Sequence, residues 1–333
     1  FGEFVLRRFV PRAYRRPVTE QEIARLLRLY DVVGGKGASF MEAIRLPLKA
    51  ALVSPYFLYR AESQPSPNDP KAVHDLDEFS LASRLSFFLW STMPDDQLLA
   101  LAAKKQLRAN LATEVHRMLA DNRSRAFSKN FPGQWLQLRD LELVQPDKKR
   151  FPGFDDKLRQ SMRDETEAFF SYLLMKNRPV TEFLDADYTF INAPLARHYG
   201  LRGKFADDLK YVSLKGTSLP RGGILTHASL LTITSNPTRT SPVKRGKWVL
   251  DNILGTPVKD PPPDIPELET SSHDSSGKTL REQLAMHTEK PLCASCHVSM
   301  DAIGFSLENY DAIGRWRLKD AGNPIDSAGK LPT

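Results

Sequence analysis

Segment after segment of this sequence repeats apolar residues at three- and four-residue intervals, and hardly any alternates them, so its side chains are buried by packing helices together. Thr19 and Glu22 have capping-box spacing ahead of Ile23, Leu26, Leu27 and Tyr30, which predicts an amphipathic helix ending at Gly34-Gly35. A second helical pattern runs from about Phe40 to Leu52, with a kink expected at Pro47. Phe79, Leu81, Leu85, Phe88 and Leu89 keep the period over 78–89, and Met93-Pro94-Asp95-Asp96 restarts it through Leu98, Leu101 and Ala102. Further helices are expected near 111–121, 123–137, 155–176, 180–185 and 193–198. Strand signals are confined to Lys210–Leu214 and Leu230–Thr234, so at most a small sheet accompanies the helices. The fold class expected is mainly α, a multi-helix body with little β structure and a C-terminal module described below.

A length of 333 residues exceeds what one core accommodates. Composition and punctuation divide it into an N-terminal helical module at 1–64, a central helical domain at 76–205 and a basic loop and helix module at 206–257. A Pro-rich and polar linker at 258–276, extended as polyproline II around Lys259-Asp260-Pro261-Pro262-Pro263, leads to a last module at 277–333. The expected helix Leu280–Met286 precedes its cysteines. The chain opens on Phe1 and stops at Leu331-Pro332-Thr333 in a polar stretch, so it reads as a processed or cut chain. No apolar run approaches the roughly 20 residues that cross a bilayer. The net charge of +7 is spread along the chain rather than massed in a block, which argues against nucleic acid and leaves room for an acidic partner or a membrane surface.

The sequence has only two cysteines, and both lie in Cys293-Ala294-Ser295-Cys296-His297. This is the C-x-x-C-H pattern of covalent haem c attachment, in which two thiols join the vinyl groups and the adjacent histidine ligates iron. Zinc needs further cysteine or histidine ligands, a redox C-x-x-C needs a βαβ context, and a disulfide across two residues is strained; these alternatives stay open behind haem. Haem attachment places the protein outside the cytoplasm, periplasmic or secreted, in keeping with the absence of other cysteines.

Met300 lies three residues after His297, on the same side of the haem, and is a poor opposite-face ligand. His227, set among Gly222, Gly223, Leu225 and Leu230, is the candidate for the distal pocket and for catalysis, its alternative being a satisfied core histidine. His74, His116, His198, His273 and His287 lie in more polar surroundings. Arg239 and Arg245, in the cationic run Asn236–Trp248, are candidates to hold haem propionates or belong to a solvated basic surface.

Phe9–Pro17, Ser54–Arg60, Leu81–Trp90, Arg239–Trp248 and Cys293–Arg317, taken together and in order, resemble the planctomycete-type cytochrome c-domain proteins. The resemblance implies a secreted or periplasmic protein whose haem-bearing module, with Met300-Asp301, Gly304-Phe305 and Gly314-Arg315-Trp316-Arg317, packs on a helical body. It also implies a further cytochrome c-like domain N-terminal to this region and an extension beyond it. The reading is a c-type haem oxidoreductase, because a simple carrier needs only about a hundred residues. The alternatives are an electron-transfer subunit docking a redox partner or further haem domain, and a structural module with a disulfide or zinc at Cys293 and Cys296.

Overall fold

Thr19 and Glu22 satisfy each other at the start of a helix. The threonine hydroxyl accepts from the Glu22 amide at 3.2 Å, and the Glu22 carboxylate accepts from the Thr19 amide at 2.8 Å. That helix runs Glu20–Gly34, and Ser39 with Glu42 opens Phe40–Leu52 in the same way. They belong to the first of two units in a computed structural model that describes residues 1–60, 62, 64–258, 279–288 and 291–329, with the backbone alone for 287, 291–293, 295 and 296. The units are Phe1–Phe127 and Ser128–Thr333, a division that falls inside the 76–205 stretch grouped above.

In the first unit a helix not expected from the sequence, Gly2–Tyr14, joins the two capped helices. Pro11 inside it hid the signal, yet Leu6, Val10, Ala13 and Tyr14 keep helical spacing and are buried against Ile23, Leu26, Ile44 and Ala51. Glu78–Trp90 and Asp96–Ala103 follow, each capped by the aspartate before it, and Leu111–Ala120 comes next.

The second unit is built on the long helix Asp156–Met175. Strands Tyr188–Ile191 and Lys210–Ser213 pair antiparallel, Tyr188 opposite Ser213 and Ile191 opposite Lys210, with helix Ala193–Tyr199 in the connection. The strand expected over 230–234 is instead helical, in Ala228–Ile233. The hydroxyls explain this: Thr232 donates to the Ala228 carbonyl at 2.6 Å, Thr234 to Leu230 and Ser235 to Leu231, each at 2.7 Å, so residues that read as strand formers fold back on the preceding turn. The second small sheet pairs Lys319–Asp320 with Asn323–Pro324.

Helix Pro242–Val249 packs on helix Pro291–Gly304, and Leu280–His287 precedes the latter. The core beneath gathers Leu136, Phe169, Tyr188, Ile224, Leu230, Trp248, Met300 and Ile303. The fold is mainly α, with fourteen α-helices and two two-stranded sheets among the described residues. No helix of the described residues is long and apolar enough to cross a membrane. Beyond Val258, the Pro-rich linker lies outside the described residues.

Candidate functional site

The C-x-x-C-H segment is helical throughout, inside Pro291–Gly304 rather than on a short turn. Positions 293, 296 and 297 then stand at i, i+3 and i+4, so they share one face of the helix. One turn further along, Asp301 brings both carboxylate oxygens to the Nδ1 of His297, at 3.1 and 3.2 Å. Asp301 is buried and His297 partly so. The hydrogen bond to Asp301 raises the histidine pKa above its ordinary value, against the opposing effect of burial. Met300 and Ile303, on the same helix, turn into the core beside Trp248.

Close backbone approach seats this helix. A Cβ on Gly246 would stand 1.8 Å from the Met300 carbonyl oxygen, and one on Gly304 would stand 1.8 Å from that of Pro242. The two glycines therefore let helices Pro242–Val249 and Pro291–Gly304 cross in contact. Arg245 ties down the segment that follows. Its Nη1 donates to the carbonyls of Leu307 (2.6 Å) and Tyr310 (2.9 Å), and its Nη2 donates to that of Asp311 (2.8 Å) and to the Ser235 hydroxyl (3.2 Å). Glu308 lies 3.4 Å from Nη1 and also accepts from Thr240 and Arg317. Complete burial lowers the Arg245 pKa to about 10. The structure thus corrects the propionate role expected for Arg245: a guanidinium turned inward onto three carbonyls is not presented to a bound anion. Arg239 is half-buried, donates to the Thr240 carbonyl at 3.2 Å, and has its pKa lowered by burial.

His227 immediately precedes helix Ala228–Ile233 and is buried. Its Nδ1 is 3.0 Å from Thr166 Oγ1, which is 2.8 Å from Ser229 Oγ, and Phe169 meets the ring edge-on at 5.1 Å. Its Nε2 is buried without a hydrogen-bond partner among the described residues, and burial lowers the pKa, which favours the neutral imidazole. Nearby, Glu165 accepts from Thr189 (2.7 Å) and Tyr199 (2.5 Å), while the Tyr199 oxygen accepts from the Ala228 amide at 3.1 Å. Burial and the adjacent Glu165 hold the Tyr199 phenol far above its ordinary pKa. His198 Nε2 donates to the Ile313 carbonyl (2.7 Å), its Nδ1 has no hydrogen-bond partner among the described residues, and burial pushes its pKa down to about 3. Arg221 stacks 3.6 Å from the Tyr199 ring and donates to the carbonyls of Thr226 and Gly314.

The site residues thus fall into two groups within the second unit, one on the cysteine helix and one around His227. His74 and His116 belong to the first unit. His273, and the side chains of His287, Cys293 and Cys296, lie outside what is described. Among the described residues no group of three or more His, Cys, Asp or Glu is set to hold a metal ion. Sequence reasoning gave no role to Asp301, Glu165 or Glu308. For Asp301 the signal was present, since it follows His297 by four residues, but it becomes legible only once the segment is known to be helical.

A haem fits what is described of this segment. The three motif positions lie on one helix face, and the histidine is gripped at Nδ1, the nitrogen that a haem ligand bonding through Nε2 leaves for the protein.

Three family models match the chain. Residues 3–62 match PSD5, protein of unknown function (DUF1595); residues 76–201 match PSD4, protein of unknown function (DUF1592); residues 221–320 match PSCyt3, protein of unknown function (DUF1588). The last takes in His227, Arg239, Arg245 and the whole cysteine motif. No curated protein and no solved structure matches.

Proposed function

The chain belongs to the planctomycete-type cytochrome c-domain proteins, and on that premise we propose that it is an extracytoplasmic c-type haem oxidoreductase. Its domains support a cytochrome-like role. The observation that carries the finer reading is the cysteine helix: 293, 296 and 297 on one face, with His297 pinned by Asp301. In this reading Cys293 and Cys296 would hold the porphyrin by thioethers and His297 would supply its Nε2 to the iron, because Nδ1 faces the carboxylate. Bound haem supplies a one-electron change at iron, exchanged with a redox partner protein or a further haem domain. The protein's share is to fix the ligand ring and seat the helix, through Gly246, Gly304 and the Met300 contacts. Arg239, partly exposed, is the cation assigned to a propionate.

His227 would be the second group to serve a bound haem. Its neutral ring and unpaired Nε2 are what a nitrogen ligand or a proton-handling group requires. The same unpaired nitrogen favours a second reading, a six-coordinate electron-transfer subunit with no substrate of its own.

An absorption spectrum of the native protein, oxidised, dithionite-reduced and then exposed to carbon monoxide, tests these readings. The expected result is a Soret band that survives acid-acetone extraction and, once reduced, shifts with carbon monoxide. A retained haem that ignores carbon monoxide marks the six-coordinate carrier, and His227→Ala then restores the shift. No Soret band leaves the structural module with a disulfide or zinc.

A further inference from the structure

The pairing of His297 with Asp301 is not what helix stability asks for. Asp301 lies in the last turn of Pro291–Gly304, where a negative charge opposes the helix dipole, and the histidine precedes the acid, the less favourable order for an i, i+4 ion pair. The carboxylate is also buried, at 8 % exposure. It has no other hydrogen-bond partner among the described residues, so its charge is not shared with an arginine. A charge placed at a cost to its helix, out of water and aimed at one ring nitrogen, acts on that ring.

We infer that Asp301 is a positioning residue for the haem ligand: it holds the Nδ1–H of His297, fixes the tautomer that leaves Nε2 to the iron, and makes the imidazole a stronger electron donor that favours the ferric state. The inference rests on the haem reading above and adds what that reading lacks, a direction for the redox equilibrium. The physical chain is short. A carboxylate accepting the Nδ1 proton draws the ring toward imidazolate character, its Nε2 becomes more basic, and the higher iron charge is stabilised over the lower. The grip is rigid, because Met300 and Ile303, on either side of Asp301 in sequence, are locked in the core, and the Met300 carbonyl abuts Gly246.

The test is a spectroelectrochemical titration of the full holoprotein carrying Asp301→Asn, which keeps an acceptor in place and removes the charge. At a fixed applied potential the Fe(III)/Fe(II) ratio is expected to fall about tenfold, an upward shift of about 59 mV for a one-electron couple. Asp301→Ser gives a second neutral variant, and Asp301→Glu is expected to return the potential toward that of the native protein. Whichever neutral variant keeps native helix content decides. A haem-bearing variant whose potential equals the native one overturns the role of Asp301 and leaves the haem reading standing. A native protein without covalent haem overturns both.

Discussion

Arg245 shows how far a residue's position outweighs its type. In sequence it is one cation in a basic run; in the molecule it is fully buried, with three carbonyls and a hydroxyl as acceptors and Glu308 beside it. Such a group stabilises only while every partner stays in place, since removing one side of a buried pair strands the other. Arg245→Met is therefore expected to destabilise the second unit by roughly 3–5 kcal/mol, read from urea midpoints. Arg239→Met, half-buried and with one hydrogen bond to a neighbouring carbonyl, is expected to shift the midpoint little. An equal loss for the two would refute the clamp. His198 and His227 belong to the same scale. Each was one imidazole among seven in the sequence; burial, with the charge of Arg221 nearby, lowers the pKa of both.

At the scale of elements, the crossing of Pro242–Val249 with Pro291–Gly304 hangs on two glycines. The methyl of Gly246→Ala or Gly304→Ala would fall inside a carbonyl oxygen of the facing helix, which no rotamer relieves, so the helices must part. Each substitution is expected to lower stability by about 3 kcal/mol, the upper end of the overpacking range, and to reduce haem retention with it. Gly133→Ala provides the contrast. Its Cβ meets only Arg139 side-chain atoms at 3.7 Å or beyond, and in helix Arg125–Trp135 it is expected to be neutral or to stabilise by up to about 1 kcal/mol. Circular dichroism melts of the three variants check the ranking; similar effects in all three would refute the close crossing.

Over the whole molecule the buried histidines set an acid limit. Their folded pKa values lie below the ordinary imidazole value near 6.5, His198 at about 3, so the unfolded chain binds protons that the folded chain refuses. The stability they permit is complete above pH 6.5 and falls as pH drops toward 3, by up to roughly 1.4 kcal/mol per pH unit for each. His297, raised by Asp301, has the opposite sign in the haem-free chain: its contribution is full below 6.5 and is lost as pH rises through the raised value. Urea midpoints at pH 7, 6, 5 and 4.5 are expected to fall steadily, and His198→Gln to flatten the decline by up to one proton's worth. An unchanged slope would show that His198 titrates normally.

The sequence by itself determined the helical class, most helix boundaries and the cysteine motif, because these depend on neighbours within a turn: Thr19 with Glu22, Asp77 with Phe79 and Ser80, Cys293 with Cys296 and His297. Only the tertiary structure decided what had to be chosen between local options or assembled across the chain. The stretch from Leu230 to Thr234 suits a strand by residue type, yet it completes helix Ala228–Ile233, with the Thr232 and Thr234 hydroxyls returned to carbonyls one turn back. Arg245 reads as a surface cation until contacts 62 to 66 residues away enclose it. His227 is enclosed by Thr166, which pairs with its Nδ1, and by Phe169, both about 60 positions earlier in the chain, and its Nε2 has no partner among the described residues. The physical reason is range: capping and periodicity act within a few residues, whereas burial, the displacement of a pKa and the close approach of two helices depend on which distant segment arrives alongside.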